Sequence, residues 1–109
     1  MILRTIDDLD APALRHFRTL RRPEEHLREG LFIAEGEKVA ARMFRSGLDV
    51  VSVLLTPECL EVHRATLEDL SPGMEVFVAS KELLQTIVGF PLHQGIMALG
   101  RVPPARAIN

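Results

Sequence analysis

Four short apolar runs punctuate the chain: Leu31 to Ala34, Val50 to Leu55, Val76 to Ala79 and Ile96 to Leu99. Each is β-rich and nearly continuous rather than alternating, the pattern of strands covered on both faces. Between them lie segments with helical spacing. The stretch from Leu31 to Leu55 holds the clearest unit, reading strand, helix, strand. Glu35-Gly36 marks a turn, Glu37 to Ser46 has a period near 3.6, and Gly47 ends it. On that helix Val39, Ala40, Met43 and Phe44 are expected to face inward. Lys38, Arg42 and Arg45 recur at i, i+4 and i+7, so they share another face.

The remaining elements follow from caps and breakers. Asp10 is an expected N-cap with Pro12 in the first turn, opening a helix that would bury Ala13, Phe17 and Leu20. Pro23 breaks it, and Glu24 to Glu29 reads as a further turn of helix before Gly30. Thr56-Pro57-Glu58 starts a helix that runs to about Leu70 and turns Leu60, Leu67 and Leu70 inward. Ser80 caps another, burying Leu83, Leu84, Ile87 and Val88. Gly89 to Gly95 (GFPLHQG) is a loop. Met1 to Asp8 reads as a lead-in, and Val102 to Asn109, with Pro103-Pro104, as an extended tail. The order α-β-α-β-α-β-α-β predicts an α/β fold, a three-layer α/β/α sandwich around a sheet of about four strands. The last connection is short, which leaves open that the fourth strand pairs antiparallel at an edge.

Size and composition add limits. The chain of 109 residues is expected to be one domain, burying roughly two-thirds of its unfolded surface. Its single cysteine, Cys59, excludes an internal disulfide and a cysteine metal cluster. No apolar run approaches the ~18 residues of a membrane span, and nothing reads as a signal peptide, so a cytoplasmic domain without membrane partners is expected. Net charge is −2. Any anion-binding surface must therefore arise from local patterning. Of the 13 basic residues, 11 are arginine, the side chain suited to bidentate phosphate contacts.

The chain has no phosphate-binding glycine fingerprint, nucleophile elbow or paired metal-ligand spacing. No catalytic residue and no metal ligand is assigned. Glu35 and Glu37 flank Gly36 and invite reading as an acid/base pair, and His93 sits in the glycine-proline loop. Glu37 is more simply explained as first-turn negative charge on a helix. Anion recognition is the better case. A glycine turn feeding a helix leaves backbone N–H groups pointing outward, and Lys38, Arg42 and Arg45 extend that surface. A second patch, Arg15, Arg18, Arg21 and Arg22, crowds the end of the first helix. Both patches also fit a plain solvated helix face.

Two segments carry a resemblance. FIAEGEKVAARMFRSGLDVVSVLLTP and FVASKELLQTIVGFPLHQGIMAL resemble the N-terminal substrate-binding domain of SpoU/TrmH-type RNA 2′-O-ribose methyltransferases, over roughly Arg21 to Val102. The resemblance implies a fold similar to the large-subunit ribosomal and kink-turn RNA-binding proteins. It also implies a role in recognising rRNA or tRNA. By position, Glu35, Gly36, Glu37, Lys38 and Arg42 would form the RNA-facing turn and helix, to which the residue patterns add Arg45, Arg21, Arg22 and His93. Gly36 stands where the kink-turn binders place an asparagine. Residues 1–102 would be the RNA substrate-binding domain and 103–109 a linker. The family's S-adenosylmethionine site and its homodimer contact would belong to a methyltransferase domain outside this sequence. The chain alone is therefore expected to bind RNA without cofactor or metal and without catalysis. A scaffold domain of the same fold that binds protein rather than RNA is the alternative, and a small hydrolase using His93 and Glu35 is a third reading.

Overall fold

A computed structural model describes residues 1–7, 11–19, 23–88 and 95–103. The strands are β1 (Ile2–Thr5), β2 (Leu31–Glu35), β3 (Val50–Leu55), β4 (Glu75–Val78) and β5 (Ile96–Arg101). The helices are α1 (Arg15–Arg18), preceded by a 3-10 turn at Pro12–Leu14, then α2 (Pro23–Arg28), α3 (Glu37–Arg45), α4 (Pro57–Glu68) and α5 (Lys81–Val88). The four expected strands are present, each within two residues of its predicted limits.

The sheet has five strands, not about four, in the order β1-β4-β3-β5-β2. The extra strand comes from the segment read as a lead-in. Ile2–Thr5 runs parallel to β4, Ile2 against Glu75 and Thr5 against Val78. All four of its residues are exposed, so no run of buried positions announces it. Strand β5 is antiparallel to both β3 and β2. It does not lie at an edge, as considered from its short connection, but between them. Its first five residues, Ile96 to Gly100, are all buried, and a strand covered on both faces belongs inside a sheet. The edge falls to β2, whose partner is β5.

Helices cover both faces, as expected for three layers. One core contains Ala40, Met43 and Phe44 of α3 and Leu60 and Leu67 of α4, packed on Val53, Leu55, Val76, Ile96 and Ala98. The other contains Leu14 and Phe17 with Leu84, Ile87 and Val88 of α5, packed on Leu54, Phe77, Met97 and Leu99. Sheet residues alternate between the two clusters, the consequence of a period of two.

Local chemistry sets the helix ends. Thr56 Oγ1 accepts the backbone N–H of Cys59 at 3.2 Å, capping α4. Ser80 Oγ accepts from Leu83 N at 3.2 Å, capping α5. Gly36, at φ 95° and ψ 159°, occupies a region that only glycine enters freely. It thereby turns β2 into α3, with its N–H on Ile96 O at 3.0 Å.

Two inward assignments need correction. Ala13 is exposed and Leu14 is buried in its place. The first turn is 3-10, with three residues per turn, so the inward positions are Leu14 and Phe17. Val39 is 48% exposed. Ala40, Met43 and Phe44 define the buried stripe of α3, and Val39 lies about 100° around the helix from Ala40. The expected Asp10 cap, Leu20, the loop through His93 and residues 104–109 of the tail lie outside the described residues.

Candidate functional site

Helix α3 presents three rows of side chains. Ala40, Met43 and Phe44 bind it to the sheet. Glu37, Ala41 and Arg45, four residues apart, form the next row, and Lys38 and Arg42 the row beyond. Across from them, on α4, stands His63. Its Nε2 lies 3.4 Å from Glu37 Oε1. Its ring meets Phe44 edge-on, with centroids 6.4 Å apart and planes at 67°. Together Glu37, Lys38, Ala41, Arg42, Arg45 and His63 line a groove of about 390 Å³ between the two helices.

Several cations elsewhere on the described surface are paired, although Arg28 and Lys81, like those of this groove, form no ion pair among the described residues. Arg4 pairs with Glu75, Arg15 with Glu29, Arg64 with Glu61 and Arg101 with Asp49. Lys38, Arg42 and Arg45 form no ion pair among the described residues. Exposed cations held on one helix face with no internal carboxylate keep their charge available to an outside anion. The carboxylate beside them, Glu37, is engaged by His63.

Two other depressions carry less positive character. One, about 520 Å³, lies where the N-termini of α4 and α5 meet Gly95. Lys81 lines it, but so do Glu58 and Glu82, whose charge opposes an anion. The other, about 370 Å³, lies under the first helix, with a floor that includes Leu31, Phe77 and Leu99. Its rim residues Arg15 and His16 both reach Glu29 Oε1, at 3.1 and 3.3 Å. The hydrogen bond from His16, with Arg15 adding its charge, holds the Glu29 carboxyl below the usual carboxylate range.

The structure therefore divides the residues singled out from the sequence. Gly36, Glu37, Lys38, Arg42 and Arg45 are brought together on α3, with Glu35 exposed at the end of β2 next to them. Arg15 and Arg18 belong to the opposite layer, since their helix packs with the α5 core. Arg18 donates to Ala11 O at 3.0 Å. Arg15 and Arg18 therefore do not share a surface with Lys38, Arg42 and Arg45. Arg21, Arg22 and His93 lie outside the described residues. His63 was missed by sequence reading. It stands 26 residues from Glu37, and only the packing of α4 beside α3 makes it a neighbour.

Among the described residues no helix is long and apolar enough to cross a membrane.

Comparison with known proteins gives a consistent family. Over 101 residues the chain is 34% identical to an uncharacterised tRNA/rRNA methyltransferase of Mycobacterium tuberculosis, covering 88% of this chain and 34% of that protein. It is 30% identical over 105 residues to a similarly named protein of Mycobacterium bovis, covering 93% and 36%. The chain thus spans about a third of the length of these relatives. Among solved structures it is similar in fold to an rRNA methyltransferase from Sinorhizobium meliloti, with a TM-score of 0.71 at 16% identity, covering 96% of this chain and 39% of that one. It is similar also to an RNA 2′-O ribose methyltransferase, with a TM-score of 0.66 at 18% identity, covering 94% and 39%. Residues 11–98 match the family described as the MRM3-like substrate binding domain. That match covers most of the chain: this protein belongs to the MRM3-like substrate-binding domain family.

Proposed function

We propose that this chain binds RNA, rRNA or tRNA, as the recognition part of an RNA 2′-O-ribose methyltransferase, and does not itself carry the methyl-transfer chemistry. The observation that carries this reading is the set of three cations, Lys38, Arg42 and Arg45, on one exposed face without internal ion pairs, in a family named for substrate binding. The names of the relatives, tRNA/rRNA methyltransferases, supply the substrate class. On this reading, methyl transfer from S-adenosylmethionine and the homodimer contact belong to the part of such proteins outside this chain, which spans about a third of those relatives.

Physical chemistry makes the binding mode specific. With a net charge of −2, the molecule as a whole does not attract RNA, so affinity depends on the local face and is strongly screened by salt. Exposed lysine and arginine on a helix contact phosphates, which position RNA without reading sequence. Titration of rRNA and tRNA fragments at two salt concentrations tests this. Arg42→Ala and Arg45→Ala should each weaken binding across many sequences. Each should reduce the slope of log affinity against log salt by ~0.7–0.9, the effect of one lost phosphate contact. Parent-like affinity and slope in both variants would place the function elsewhere.

A further inference from the structure

The groove beside the cationic face has a shape that phosphate binding alone does not require. Glu37, Ala41 and Arg45 form one row of α3, and the middle member is the small one. Two long side chains therefore flank a gap, and His63 closes it from α4. The imidazole is fixed twice, by Glu37 through Nε2 and by the edge of Phe44. The result is an open, shallow groove of about 390 Å³, with the exposed edge of the largely buried His63 ring on one side, the small Ala41 side chain between Glu37 and Arg45, and three unpaired cations along it.

Paired RNA has no use for such a groove. Its bases are stacked inside the duplex, and it offers a protein mainly phosphates and 2′-hydroxyls. An unpaired nucleotide is different. Its base can be splayed out and seated against an aromatic or imidazole ring while its phosphates meet nearby cations. We infer that the α3–α4 groove holds one unpaired nucleotide of the RNA. Its base rests over Ala41 against His63, and its flanking phosphates meet Lys38, Arg42 and Arg45. Glu37 is a positioning residue: it holds the His63 ring rather than meeting the phosphates, which it would repel. This rests on the RNA-binding reading above and adds to it a preference for loops, bulges and single strands over duplex.

The test uses short labelled oligoribonucleotides, one single-stranded and the same sequence paired in a duplex, titrated by fluorescence anisotropy. The parent should bind the single strand more tightly. Ala41→Leu fills the groove and leaves every charge in place. It should weaken single-strand binding by about fivefold or more, the size of one lost base-stacking contact. Duplex binding and the salt slope should stay unchanged. His63→Ala removes the wall and should act in the same direction, with thermal melting confirming a folded chain. If Ala41→Leu does not fold, His63→Ala decides alone. The inference is overturned if the variants hold the single strand as the parent does, or if the parent binds the duplex equally well. Loss of binding in Arg42→Ala together with unchanged binding in Ala41→Leu and His63→Ala removes this inference only. No binding of either RNA by the parent removes the RNA-binding reading as well.

Discussion

Replacing Gly95 with alanine should destabilise the fold through one side chain, Thr56. A Cβ built on Gly95 would lie 2.6 Å from Thr56 Cγ2, 2.9 Å from its Oγ1 and 3.3 Å from its Cβ. Thr56 cannot easily move away. It is 4% exposed, and its Oγ1 caps α4 by accepting from Cys59 N. Its own N–H bonds to Gly95 O at 2.9 Å, so the two backbones are tied together at the site of the clash. If the threonine rotates, α4 loses its cap, worth about 1 kcal/mol. If the backbones separate, the strain of overpacking is typically about 1–3 kcal/mol. Gly95→Ala should therefore cost about 1–3 kcal/mol by either route, measurable by urea denaturation followed by circular dichroism. Thr56→Ser separates the terms. Serine keeps the cap oxygen and removes Cγ2, the atom with the closest approach. Gly95→Ala in the Thr56→Ser background should cost clearly less than in the parent, giving a coupling energy of about 0.5 kcal/mol or more in a double-mutant cycle. A Gly95→Ala protein as stable as the parent, or a cost unchanged by Thr56→Ser, would refute this account of the contact.

Two further predictions concern burial and titration. Val39→Ala, at an exposed position, should change stability by less than about 0.5 kcal/mol, whereas Met43→Ala, in the core beneath it, should cost about 2–5 kcal/mol; equal losses in denaturant melts would contradict the assignment of faces on α3. The Glu29 carboxyl, lowered mainly by its hydrogen bond from His16, should titrate below the ordinary glutamate range in carboxyl NMR and move back toward it in His16→Ala. Because the folded value is the depressed one, the linked stability is present above the unfolded-state pKa and is lost as pH falls through the folded one.

The elements legible in the sequence are those whose signals lie within one turn of chain. Thr56-Pro57 announces α4 because a hydroxyl cap and a proline at the first position act on N–H groups three residues away. Gly36 and Gly47 bracket α3 because both take positive φ, 95° and 80°. The cationic face of Lys38, Arg42 and Arg45 follows from the helical period alone. Val39 shows where that reasoning stops. Periodicity places it near the apolar stripe, but whether a position at the stripe's margin is covered depends on what lies beneath, and α3 sits over β5 and the sheet's edge strand β2.

Local chemistry along the chain determined the alternation of helices and strands, the caps and the charged face of α3. The tertiary structure alone decided what lies next to what. Strand β1 exists because β4 offers it an edge, not because Ile2–Thr5 demands burial. Strand β5 enters between β3 and β2 because its wholly buried run needs cover on both faces. Arg15 and Arg18 on one side, and Lys38, Arg42 and Arg45 on the other, belong to helices that pack on opposite layers of the sheet. His63 becomes the wall of the α3 groove only when α4 packs alongside. The physical reason is common to all of these. Caps, turns and helical period are set by atoms a few residues apart. Strand order and the pairing of helix faces are set by contacts between distant segments, each chosen by which arrangement buries the most apolar surface, and no local pattern encodes that choice.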